Sequence, residues 1–178
     1  MKKTVIVFGI LSGLIASALM FLSLPFVDHG AASYVIGYTS IFLSLLLVFF
    51  GIRSYREKRG GTITFGRAFA TGILITAISC LFYVASWEIV YFKFMPDFAD
   101  KYAAHEIAAM REKGATDAAI AAKKTEMDKM KVMLDNPLTN AAMAFIEPFP
   151  VGLIMTLVSA AILRRRAAAS VPGVAQAA

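Results

Sequence analysis

The sequence predicts an all-α integral membrane protein of four transmembrane helices, with an extracytoplasmic helical hairpin between helices three and four. Three observations predict it. Four long apolar stretches, at about residues 4–27, 34–52, 68–94 and 138–163, carry few charged side chains or none. Basic residues gather at the ends of these stretches, and the segment at about 95–136 alternates charged with apolar positions in helical spacing. About 20 apolar residues rising 1.5 Å each fill the roughly 30 Å hydrocarbon core, so each stretch is long enough to cross it.

Composition agrees. The chain has 178 residues, of which 58% are hydrophobic, and a mean hydropathy of +0.68, whereas soluble domains are about 45–50% apolar. One membrane domain, residues 1–166, is the natural count, with 167–178 reading as a disordered cytoplasmic tail. Net charge is +6. That excess does not point to nucleic acid, because Lys2, Lys3, Arg53, Arg56, Lys58, Arg59, Arg67 and Arg164 to Arg166 all sit near span ends, where they fix orientation and meet anionic lipid headgroups.

Orientation follows from the same residues. The N-terminus, the loop from Arg53 to Arg67 and the tail are basic, while the first loop holds Asp28 and His29 without Lys or Arg. Both termini are therefore expected in the cytoplasm and the long third loop outside, which in a bacterium would be the periplasm. Met1-Lys2-Lys3 followed by an apolar run, with Ala16-Ser17-Ala18 behind it, also resembles a signal peptide. The apolar run continues through Val27, longer than a signal core of about 7–15 residues, so the first helix reads as retained.

Each element has its own signal. In the first span Gly9, Gly13 and Ser17 recur every four residues, a small-residue face that admits a close neighbour. Ordinary packing within the chain is its first reading and a dimer face its second. The third span has a similar stripe, Ala68, Gly72, Thr76, Ser79 and Cys80, and the two faces are expected to meet. Beyond it, Pro96-Asp97 signals a helix start, Gly114 a stop and Thr116 a new N-cap. The first hairpin helix is expected to continue the third span. The second carries Ile120, Met127, Met130 and Leu134 as one apolar stripe, either a binding groove or a packing face, and ends at Asn136-Pro137. In the fourth span Pro148 and Pro150 remove the amide partners of the Ala144 and Ile146 carbonyls, so that helix should bend or break.

The run Ile63-Thr64-Phe65-Gly66-Arg67-Ala68-Phe69 leading into Thr71-Gly72-Ile73, then Trp87-Glu88 and Lys93-Phe94-Met95-Pro96-Asp97-Phe98, resembles bacterial membrane proteins grouped as domain of unknown function 4199. The resemblance covers roughly residues 1 to 166. It implies four spans with a charged helical insertion before the last, and no catalytic residues to carry over.

Candidate chemistry reduces to two carboxylates, Glu88 and Glu147. A charge in hydrocarbon costs several kcal/mol unless paired, hydrated or neutralised. Glu88 falls about 30 Å along its span from Ala68, at the boundary beside Trp87 and Tyr91. Glu147 falls roughly 24 Å from Leu163, inside the apolar zone, and is the stronger candidate. Lys93, His29, Tyr83 and Ser86 are its nearest expected partners. His29 with Asp28, His105 with Glu106, and the lone Cys80 match no metal, disulfide or catalytic spacing, and no cofactor motif is present. The residues thus point to a non-enzymatic interaction subunit of the envelope that engages lipids, its own copies or another membrane subunit. The alternative is a small ion-coupled transporter using Glu147, with Glu88.

Overall fold

A computed structural model of the chain describes residues 1–26 and 31–165. Asp28 and His29 of the first loop and the tail from Arg166 lie outside the described residues. Seven α-helices are seen among those described: α1 (Lys2–Ser23), α2 (Ala31–Glu57), α3 (Phe65–Ile89), α4 (Phe98–Glu112), α5 (Asp117–Asp135), α6 (Pro137–Ile146) and α7 (Pro148–Leu163). Four helical segments, Lys2–Ser23, Tyr34–Glu57, Phe65–Phe94 and Pro137–Leu163, are long and apolar enough to cross a membrane. The protein is an all-α membrane protein.

Packing follows the logic of helices in lipid, where close approach and hydrogen bonding replace the hydrophobic effect. α1 lies against α2 and α3, and α7 lies against the same two helices. Small and hydroxyl-bearing residues face inward. Ser12, Thr71, Thr76, Asn140 and Thr156 are fully buried, whereas Leu22, Val35, Leu81 and Ile162 are each more than 60% exposed on the protein's own surface and suit lipid contact. The Ser12 hydroxyl donates to the Ser44 carbonyl (2.8 Å) and meets Ser79 Oγ (2.9 Å), tying three helices together. Thr76 and Thr156 join α3 to α7 at 3.2 Å. Bonds of this kind contribute about 0.6 kcal/mol each.

The Gly9, Gly13 and Ser17 face of α1 receives a row of α3 side chains one turn apart. A Cβ at Gly9 would lie 2.8 Å from Ile78 Cβ, and one at Gly13 would lie 2.5 Å from Phe82 Cγ. Ser86 donates to Ser17 at 2.7 Å. The two small-residue stripes therefore do not meet face to face as expected: the α1 face takes Ile78, Phe82 and Ser86, Ser79 bonds Ser12 beside it, and Gly72 admits Thr156 of α7 and Ile52 of α2. Large against small interdigitates better than small against small.

At one end of the bundle Ile63 and Arg165 exchange both backbone hydrogen bonds (2.9 and 3.0 Å), an isolated antiparallel bridge joining the approach to α3 to the exit of α7. At the other end α3 does not run on into α4. Val90–Phe94 form a π turn, the Met95 amide reaching back to the Val90 carbonyl (2.8 Å), and Met95 leaves helical geometry at φ −135°. The cause is Pro96, which disfavours the α region for the residue before it and offers no N–H. α4 then starts afresh at Phe98. It stops where Gly114 takes a left-handed φ of 72° and the Ala115 amide bonds the Met110 carbonyl at 3.0 Å, which satisfies one of the orphan carbonyls at the helix end. Thr116 caps α5 by accepting from the Ala119 amide.

Candidate functional site

The site begins with how the α4–α5 pair is held onto the bundle. Pro137 stands at the first position of α6, where its missing N–H costs nothing, and Asn136 caps that helix by accepting from the Leu138 (3.0 Å) and Thr139 (3.3 Å) amides. One turn on, the fully buried Asn140 accepts from the Trp87 indole N–H and donates to the Leu134 carbonyl, both at 2.7 Å. The Tyr91 hydroxyl donates to Asp135 at 3.0 Å, and the Thr139 hydroxyl to the Met133 carbonyl. These bonds fix the α5–α6 junction against α3. Around them Trp87, Phe98 and Tyr91 pack edge to face, with Trp87 and Phe98 ring centres 5.2 Å apart, and Phe98 stacks on Tyr102.

Beneath this roof lies a chamber of about 440 Å³, within the 300–1,000 Å³ range of small-molecule sites. It draws its lining from every helix except α7. α2 contributes Tyr34, Gly37 and Tyr38, and α3 contributes Tyr83 and Trp87. Met20, Met130 and Met143 give it soft apolar surface. A Cβ at Gly37 would meet no atom within 4 Å, in contrast with the glycines at the closed end.

Glu147 is the acidic residue of this lining. It stands between α6 and α7, where Pro148 and Pro150 leave the Ala144 and Ile146 carbonyls without amide partners, and its own backbone stays helical (φ −66°, ψ −57°). The result is a span interrupted between α6 and α7, with the carboxylate at the interruption. One oxygen of Glu147 accepts from the Tyr83 hydroxyl at 2.7 Å. Tyr34 lies within electrostatic reach of the same carboxylate, and its hydroxyl donates to that of Tyr102 at 3.1 Å.

Of the partners expected for Glu147, Tyr83 is the one bonded. Ser86 is engaged with Ser17, Lys93 is exposed, and His29 lies outside the described residues. Glu88 is half-buried, does not line the chamber, and has one carboxylate oxygen, Oε1, without a hydrogen-bond partner among the described residues. The two carboxylates are not brought to one site. Cys80 is a buried free thiol and His105 is exposed on α4. Among the described residues, no three His, Cys, Asp or Glu side chains group closely enough to hold a metal ion. Sequence reasoning missed Tyr38, Gly37, Met143 and Asn140. The visible signal was the aromatic pair Tyr34 and Tyr38 one turn apart in a span otherwise suited to lipid.

Fold and site together define a small polytopic membrane protein built around one roofed chamber. The chain belongs to the family described as protein of unknown function (DUF4199), whose model matches residues 7–165 and so takes in all four apolar spans and the α4–α5 pair. No curated protein and no solved structure matches the chain.

Proposed function

We propose that this is a non-enzymatic binding protein of the bacterial inner membrane, which holds a lipid-like molecule in the chamber and presents the α4–α5 pair to the periplasm. The chamber itself carries the reading: a largely apolar cavity with few polar groups is what a small-molecule site requires. The Gly9 and Gly13 face is already filled by Ile78 and Phe82 of α3, so it is not free to serve as a dimer face. Orientation rests on the Lys and Arg asymmetry. Reporter fusions after Arg59 and after Arg166 should report cytoplasm and one near Gly114 the outside.

Ion-coupled transport through Glu147 is the second reading, favoured by a carboxylate at a helix break within a span. It receives less support because the bundle below the chamber is filled by Leu45, Val48, Ile52 and Ile75, all essentially inaccessible, and because Glu88 stands apart. Native mass spectrometry of protein extracted in mild detergent tests the binding reading. A retained amphiphile, lost when Gly37→Leu fills the chamber, is the expected result. Ion-dependent uptake in proteoliposomes that Glu147→Gln abolishes would replace binding with transport.

A further inference from the structure

The chamber's chemistry names the class of its ligand, an inference that rests on the binding reading above. Its described lining contains one carboxylate and no Lys, Arg or His. Glu147 takes part in no ion pair among the described residues; its bonded partner is the neutral hydroxyl of Tyr83, which can share but not cancel a negative charge. A carboxylate at membrane depth is costly unless paired, hydrated or neutralised, and a cation in the chamber would pair it. The same lining carries the rings of Tyr34, Tyr38, Tyr83, Trp87 and Tyr102, and aromatic faces are electronegative and attract weakly hydrated organic cations. An anionic ligand would meet repulsion from both. A small metal cation would find one carboxylate and neutral hydroxyls, too few oxygens to replace its hydration shell. Met20, Met130, Leu134 and Met143 in the same lining offer surface that adapts to a flexible hydrocarbon.

We propose that the chamber binds a single-chain organic cation, its substituted ammonium head held between Glu147 and the tyrosine rings and its alkyl tail laid along the methionines. Recognition needs no covalent step and no metal. The head supplies a countercharge that none of the described residues places beside Glu147.

The molecule carries its own reporter. Its single tryptophan, Trp87, lines the chamber, so intrinsic emission of the full chain in neutral detergent reads occupancy. Dodecyltrimethylammonium should change that emission saturably, at one probe per chain, while dodecanoate of equal chain length should not. Glu147→Gln keeps an acceptor for Tyr83 and removes the charge, and should weaken the cation on the order of tenfold or more. Tyr38→Leu removes one ring face and should weaken it severalfold, which keeps the test open should Glu147→Gln fold poorly. Equal binding of cation and carboxylate, blocked by Gly37→Leu but indifferent to Glu147→Gln and Tyr38→Leu, would overturn the cation preference and leave the chamber standing. A response to neither probe, or one that Gly37→Leu does not alter, would overturn the chamber as a site and the cation with it.

Discussion

The two ends of the bundle are made from the same helices and differ in how closely those helices approach. Toward the Ile63–Arg165 bridge, Gly9 sits under Ile78, Gly51 under Ile75 and Gly72 under Ile52. The interior there is filled by branched aliphatics such as Val48 and Ile52, both inaccessible. Near α4 and α5, Gly37 faces no neighbour, the inward residues are tyrosines and methionines, and the fourth span is interrupted at Glu147. Glycine closes a membrane bundle only where a partner supplies the matching bulk. Where rings and a proline interruption hold the helices apart, the same architecture keeps a cavity.

That contrast can be broken most severely along the α1–α3 contact. Gly13→Leu would force a side chain into Phe82, and overpacking of this kind costs about 3 kcal/mol where neighbours cannot yield. Thermal unfolding in detergent should show a large loss of stability. Unchanged melting would remove the α1–α3 contact from the account.

Next in size is the roof. Asn140→Leu leaves the Trp87 N–H and the Leu134 carbonyl buried without partners, a loss of about 2 kcal/mol. Hydrogen exchange across residues 98–135 should quicken while α1 and α2 stay protected, and a uniform change along the chain would show that the roof and bundle are one cooperative unit. At the open end, Gly37→Leu should cost less than about 0.5 kcal/mol, since no packed atom opposes it. A melting loss comparable to that of Gly13→Leu would mean the chamber collapses around that position.

The smallest effect is expected at the Lys131–Asp100 pair on the surface of the roof, 2.5 Å apart with both side chains largely solvated. The Asp100 carboxylate holds the Lys131 ammonium above the usual lysine range. A raised pKa means a contribution fully present below the unfolded lysine value and lost as pH rises through the folded one, so it should persist at neutral pH and vanish only in strong alkali. Lys131→Met should lower the melting temperature slightly at low salt and not at all in high salt. A salt-independent loss would place that lysine's role in packing of its aliphatic stem.

The sequence announced the spans because uninterrupted apolar runs have one physical destination. It announced the ends of α4 and the start of α5 because Gly114 and Thr116 act locally, and the interruption before Pro148 because proline's missing N–H is a property of the residue alone. Glu147 stood out by depth. The chamber was illegible for the opposite reason: Tyr34, Tyr38, Tyr83, Tyr102 and Met143 lie far apart in the chain, and a helix that is apolar on every side gives no sign of which face meets lipid and which meets a cavity. The break between α3 and α4 was misjudged because the Phe94, Phe98 and Tyr102 spacing suggested one helix, whereas Pro96 decides the backbone at Met95. The pairing of α1 with α3 depended on which bulky residues oppose which small ones, and that is settled only by register.

The hydroxyl of Ser12 also has a bearing on biosynthesis. It has a single proton, and that proton goes to the Ser44 carbonyl, so Ser79 must be the donor in the second contact. The Ser12 to Ser44 bond needs only the first two helices to emerge from the ribosome, and it leaves an acceptor on Ser12 unoccupied until α3 enters the bilayer. Ser79 can therefore be received by a pair already formed. Assembly would then proceed in the order of translation, α3 finding a waiting lone pair on Ser12 rather than displacing an existing bond.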